Sequence, residues 1–205
     1  MAINLTKGQR VDLTKGNPNL TNLVVGLGWD PVASSSSKGG FLSSLFGGGA
    51  SNASIDCDAS VLLLGENGKI QSNKDVIYFG NLKSDDASVT HTGDNLTGDG
   101  DGDDEQILID LKRVSPSIHK ILFVVNIYNA QKRNQHFGMI QNAFIRIVNK
   151  NSNQEMIRYN LTENYSGSTC LVVGEIYRQG SDWKFAAIGN AITVSGLQEV
   201  VKSYA

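Results

Sequence analysis

The chain has 205 residues, a formal net charge of −2, 40% hydrophobic residues and 19% charged residues. That is enough apolar material for a core in a single domain, and too much for a disordered chain. The near-neutral balance gives no electrostatic drive towards nucleic acid or an anionic membrane, so those partner classes are set aside. Cys57 and Cys170 form no CxxC pair and no dense framework, which suits a reducing compartment. The opening MAINLTKGQRVDL lacks the ~7–15-residue apolar stretch of a secretory signal, and no run approaches the ~18 apolar residues of a spanning helix. A cytoplasmic protein is expected, with its Asn-x-Thr sequons unmodified.

In chain order, residues 1–16 read as two short strands, INLTKG and the partial repeat DLTKG, each ending at a glycine that permits a turn. NLTNLVVGLGWD follows, with an apolar run from Leu23 to Leu27 and a Trp29-Asp30 finish. Residues 33–53, ASSSSKGGFLSSLFGGGASNA, are dominated by Gly and Ser and read as a flexible insertion into a loop of one domain spanning 1–205. Its centre, Phe41 to Phe46, is either a short amphipathic docking segment or an incidental apolar tip. SIDCDASVLLLG then begins a strand, and Asn67-Gly68 after it is a two-residue hairpin signal. VIYFGNL, QILIDLKRV, HKILFVVNIYN, AFIRIVNKN, EMIRYNL, STCLVVGEIYR and WKFAAIGNAI continue as strands. Their β-branched and aromatic content, broken by Asn, Gly, Ser and Asp, predicts an all-β, two-sheet antiparallel sandwich. The chain closes on one short helix. Ser195 with Gln198 makes a capping-box pattern, and Leu197, Val200, Val201 and Tyr204 share an apolar face expected to pack across one end of the sandwich.

Charge is concentrated where the chemistry is. Asp85, Asp86, Asp94, Asp99, Asp101, Asp103, Asp104 and Glu105 fall in one window with no Lys or Arg among them. Within it, Gly and Asp alternate from 98 to 103. Glycine lets the backbone curl so that several carboxylates converge, as a hard cation wanting ~6–8 oxygen ligands requires. Only His91 accompanies the cluster, which argues against zinc or copper. An EF-hand does not fit. Asp99, Asp101 and Asp103 take positions 1, 3 and 5, but position 6 is Asp104 rather than Gly, and position 12, Asp110, falls inside a predicted strand. A second acidic piece, Asp56-Cys57-Asp58-Ala59-Ser60, opens the next strand. Alternation there puts Asp56, Asp58 and Ser60 on one face. Asp30 and Glu175 are further scattered acids within reach of strand ends.

At these residues the chain resembles the tellurium-resistance TerD family. VGLGWD at 25–30, DCDAS at 56–60, VIYFGNLKSDD at 76–86 and above all GDNLTGDGDGDDEQILIDL at 93–111 carry the likeness, with FVVNIYNA and GEIYR in support. It covers nearly the whole chain except 33–53. The resemblance implies a β-sandwich, no established enzymatic activity, and Ca²⁺ as the bound ion, expected here as two ions. It implies work in resistance to tellurite and other stresses alongside other tellurium-resistance proteins, some of them membrane-bound. The implied metal residues are Asp56, Asp58, Asp94, Asn95, Asp99, Asp101, Asp103, Asp104 and Glu105. Cys57 stands where the family motif often has Leu, and the Gly/Ser insertion runs straight into that motif.

Three functional readings follow. The first is a non-enzymatic Ca²⁺-binding stress protein acting as sensor or scaffold. The second is a metal-dependent hydrolase using the same carboxylates with His91 as proton shuttle, although the chain has no GxSxG, GxxxxGK[ST] or HExxH motif. The third is an interaction module with a structural metal and the 41–46 segment as its docking element. Two separated cysteines placed in apolar strands are poor sinks for a thiol-reactive oxyanion.

Overall fold

Residues 2–31, 55–93 and 102–205 are described by a computed structural model of the protein. The strands in chain order are β1 (Ile3–Leu5), β2 (Arg10–Asp12), β3 (Asn22–Pro31), β4 (Cys57–Leu64), β5 (Val76–Ile77), β6 (Val89–His91) and β7 (Glu105–Asp110). They continue as β8 (Lys120–Ile127), β9 (Ile140–Asn149), β10 (Gln154–Asn160), β11 (Cys170–Gln179) and β12 (Asp182–Ile192). One turn of helix, α1 (Ala130–Arg133), follows β8, and α2 (Leu197–Ser203) follows β12.

They form two six-stranded sheets, ordered β1-β10-β9-β3-β7-β6 and β2-β12-β11-β8-β4-β5. Every strand pair is antiparallel except β1 with β10, which run parallel, so the expected sandwich is right and one edge departs from its pattern. The two short N-terminal strands serve different sheets: Ile3 pairs with Ile157 on the first, and Val11 with Phe185 on the second.

Side-chain alternation explains the packing. In β4, Cys57, Ala59, Val61 and Leu63 face the first sheet and join the main core, while Leu62 and Leu64 face away into a second cluster. In β8, Ile121, Phe123, Val125 and Ile127 point inward and Leu122 and Val124 outward. Both faces of these central strands are apolar because α2 lies on the outer face of the second sheet, burying Val200 against Leu62, Leu122, Val124 and Val172. The apolar face read from the sequence is therefore correct, but the helix covers a sheet face rather than an end. Its cap also differs. The Ser195 N–H and hydroxyl both donate to Glu199, at 2.8 and 3.0 Å, and Gln198 takes no part in capping.

The turn at Asn67-Gly68 is real, with Gly68 at φ +75° and its N–H donating to the Gly65 carbonyl, but the next strand does not start there. Residues 70–75 intervene before Val76 pairs with Leu62, since Ser72 and Asp75 cap a short 3₁₀ turn. The VIYFGNL segment is likewise only two residues of strand before it folds back on itself through a bridge between Tyr78 and Asn81. The 33–53 insertion lies outside the described residues.

Candidate functional site

Two acidic segments meet at one end of the sandwich, and the register of β3, β4 and β7 brings them there. Glu105 opens β7 opposite Leu27, and its side chain points between the sheets with Ile107 and Ile109, all buried. It reaches the second sheet, where one carboxylate oxygen accepts the Ala59 N–H at 2.7 Å. His91, on the neighbouring β6 and 2% exposed, packs beside it. Its Nε2 stands 3.3 Å from Glu105 Oε2 and 3.2 Å from the Ala59 carbonyl, while Nδ1 accepts the Gly93 N–H at 3.0 Å. An accepting Nδ1 places the ring proton on Nε2, aimed at two oxygens. This trio ties the β6-β7 edge directly to the residue after Asp58.

The Cys57 thiol feels the charge of both segments. It is fully buried, and its pKa is pushed well above the usual thiol value, first by burial and then by the charges of Asp58, Asp56, Glu105 and Asp104. Both acidic segments thus act electrostatically on the same buried thiol. Arg133 stands 3.8 Å from Asp56, with its guanidinium over the Tyr128 ring. Asp104 also fixes the end of β3 by accepting the Trp29 N–H at 2.8 Å.

Asp103 goes elsewhere. Its carboxylate lies on the outer face of the first sheet, where Arg146 grips it with Nε at 2.6 Å and Nη2 at 3.0 Å and Gln106 donates at 3.0 Å. The same guanidinium reaches Glu155 at 3.0 Å. This crossing needs glycine beneath it. A Cβ on Gly26 would lie 2.2 Å from the Asp103 carboxylate, and one on Gly28 would lie 2.7 Å from the Gly102 carbonyl and 2.5 Å from the Phe144 ring. Of the residues expected to hold metal, Asp56, Asp58, Asp104 and Glu105 lie at the same end of the sandwich, with Asp58 turned to the outer face beside Asn126 and Glu105 turned inward to Ala59, and Asp103 is held apart by Arg146. Asp94, Asn95, Asp99 and Asp101 lie outside the described residues. Among the described residues, no three His, Cys, Asp or Glu side chains form a ready metal cluster. Asp30 is bonded to Asn142 at 2.8 Å and Glu175 lies 3.4 Å from Lys120.

Sequence reasoning passed over one residue. On the outer face of the second sheet, Asn126 of β8 sits opposite Asp58 and donates to it at 3.2 Å. That bond fixes the amide orientation, leaving Asn126 Oδ1 buried without a partner, as is the nearby Ser60 hydroxyl. Ser60 was legible as a neighbour of Asp58 by alternation. Asn126 was not, because strand register is not written locally.

The architecture is a two-sheet β-sandwich with an acidic junction at one end. The TerD domain family matches residues 1–204, and the chain belongs to that family. It is 60% identical over 204 residues to the stress response protein SCP2 of Bacillus subtilis, covering all of both chains. It is 45% identical to the tellurium resistance protein TerD of Serratia marcescens, covering the whole of this chain and 97% of that one. The crystal structure of a homologue of the telluride resistance protein TerD from Streptomyces coelicolor A3(2) shares the fold, with a TM-score of 0.65 at 20% identity over 91% of this chain and 99% of that one. These relatives bear resistance and stress names, none of them enzymatic. Among the described residues, no helix is long and apolar enough to cross a membrane.

Proposed function

We propose that this chain is a non-enzymatic Ca²⁺-binding stress protein of the tellurite-resistance type, acting in the cytoplasm as a sensor or scaffold with other proteins of that system. The observation that carries the reading is the meeting of the 56–58 and 104–105 segments at one end of the sandwich, where Glu105 accepts the Ala59 N–H at 2.7 Å and Asp104 the Trp29 N–H at 2.8 Å. Like charges ~4–6 Å apart at a surface-like dielectric repel by about 3–4 kcal/mol, and a divalent cation turns that cost into binding energy. The donor set suits Ca²⁺. It is all hard oxygen, His91 is committed on both ring nitrogens, and the acidic Gly-Asp stretch 98–103 adjoins it in sequence. Asp56, Asp58, Asp104 and Glu105 would hold the ion with Asp94, Asn95, Asp99 and Asp101, and Ca²⁺ would supply charge neutralisation and lock the two segments together.

A hydrolytic reading has less support, because its proton shuttle, His91, is buried between the sheets and already bonded. The test is calorimetric titration of Ca²⁺ into metal-stripped protein, with Mg²⁺ as comparison. Binding that resists Mg²⁺ and is lost in Asp58→Asn and in Asp101→Asn is expected. Equal, weak heats from both ions would refute the reading.

A further inference from the structure

Alternation along β4 turns Asp58 and Ser60 to the outer face of the second sheet, and Asn126 of β8 stands directly opposite Asp58 on that face. All three are buried, at 5%, 1% and 5% exposed, and all three line one cleft beside α2. The rest of that face gives no precedent for polarity, since Leu62, Leu64, Leu122 and Val124 continue it as an apolar cluster. The Asn126 amide nitrogen donates to Asp58 at 3.2 Å, which leaves its oxygen as the acceptor end, and that oxygen has no partner. The Ser60 hydroxyl has none either. Leaving a buried polar atom unsatisfied is costly, so two orphan oxygens beside one carboxylate point to an electropositive partner that all three share.

A hard cation satisfies several oxygens at once. Ca²⁺ takes ~6–8 of them at ~2.3–2.6 Å and commonly mixes carboxylates with Asn carbonyls. Neutral oxygens have a particular use in an acidic site. Each further carboxylate adds repulsion to those already there, whereas an amide or hydroxyl oxygen raises the ligand count without adding charge. Ligating carboxylates are characteristically hydrogen-bonded in turn, and Asn126 does this for Asp58 with its nitrogen while its oxygen stays available. Mg²⁺ is smaller, demands near-octahedral geometry and keeps several waters, so oxygens fixed on two neighbouring strands favour the larger ion.

We propose that Asn126 Oδ1 and the Ser60 hydroxyl oxygen are ligands of the same ion as Asp58, supplying neutral oxygens and a preference for Ca²⁺ over Mg²⁺. This assignment rests on the calcium reading above, and its test separates the two. The full chain, stripped of metal, is compared with Ser60→Ala and Asn126→Asp by calorimetric titration of Ca²⁺ and Mg²⁺ and by thermal unfolding with and without Ca²⁺. In an isotope-labelled sample the Asn126 side-chain amide is followed by two-dimensional NMR, and stoichiometric Ca²⁺ should shift it. Ser60→Ala should bind Ca²⁺ about tenfold more weakly, with Mg²⁺ affected much less. Without metal it should unfold at the same or a higher temperature, because it deletes a hydroxyl that has no partner. A hydroxyl that served only the fold would show the reverse. Asn126→Asp keeps an oxygen ligand and adds a charge opposite Asp58, so it should retain Ca²⁺ affinity while losing stability in the metal-free state. Unchanged Ca²⁺ affinity in Ser60→Ala, or no shift at Asn126, would overturn the assignment while the calcium reading stood, leaving the two oxygens merely hydrated. A wild-type chain that takes up no Ca²⁺ would remove both.

Discussion

Gly26→Ala is the sharpest probe of how the acidic segment is seated. On a strand, alanine is ordinarily the better residue, because glycine loses more backbone entropy on folding, about 0.5–1 kcal/mol. Here the added methyl would stand 2.2 Å from the Asp103 carboxylate, a separation that cannot be kept, so the carboxylate must leave. Its departure breaks the two-pronged bond from Arg146 at 2.6 and 3.0 Å and the Gln106 bond at 3.0 Å, and it strands a group whose side chain is only 1% exposed. Arg146 keeps Glu155 and is itself 27% exposed, so part of its loss is regained from water. Hydrogen bonds to charged groups contribute about 1.5–3 kcal/mol each, and with that discount we expect about 2–4 kcal/mol of net destabilisation. For a chain of this size that is roughly 4–16 °C in Tm. The assay is thermal and urea unfolding of Gly26→Ala, Asp103→Ala and the double variant. Removing Asp103 removes the obstacle, so Gly26→Ala in that background should be neutral or slightly stabilising. An equal cost in both backgrounds would refute the reasoning, and so would no cost in the wild-type chain.

Saturating Ca²⁺ at ~100 times its Kd should stabilise the folded form by about 2.7 kcal/mol, visible as a rise in Tm, and Mg²⁺ at the same level should do much less. Both thiols should resist Ellman's reagent until the protein unfolds, since Cys57 and Cys170 are fully buried and burial alone pushes Cys170 up to about 12; titration of either at pH 8 in the native state would contradict the packing. Asp86 is held below its ordinary value: burial opposes ionisation, but bonds from the Ser88 hydroxyl and N–H, the Ser84 hydroxyl and the Ser115 N–H outweigh it. A folded value below the unfolded one means stability that is complete above about pH 4 and lost as pH falls through the lowered value. Asp86→Asn should therefore cost about 1–2 kcal/mol at pH 7, with the gap to wild type closing in acid; a gap independent of pH would count against the bond pattern.

Much of this architecture was legible because strand alternation and burial speak the same language. Cys57, Ala59, Val61 and Leu63 alternate with Leu62 and Leu64, and the doubly apolar β8 announced a strand covered on both faces. What covered its outer face was not legible, since nothing local says that α2 lies over a sheet rather than an end. The acidic window was read as one group, and the fold divides it. Asp103 turns outward to Arg146, 43 residues away, while Glu105 turns inward to Ala59, 46 residues away. Alternation could not predict that split, because residues two apart share a face of a regular strand; the segment before Glu105 leaves strand geometry, with Gly102 at φ +121°. Glycines at 26 and 28, opposite the apolar Leu23, Val25, Leu27 and Trp29, carried the missing signal, because a strand face bare of side chains invites another segment to cross it.

The placement of β1 and β2 has a consequence for how the protein is made. These strands emerge first from the ribosome, yet their partners, β10 and β12, are translated only after most of the other strands. Neither sheet can close its outer edge on the nascent chain, so two unsatisfied backbone ladders wait in solution through most of synthesis. Codon changes that slow elongation before residue 154 would prolong that interval, and aggregation during expression would report it before any property of the finished protein changed.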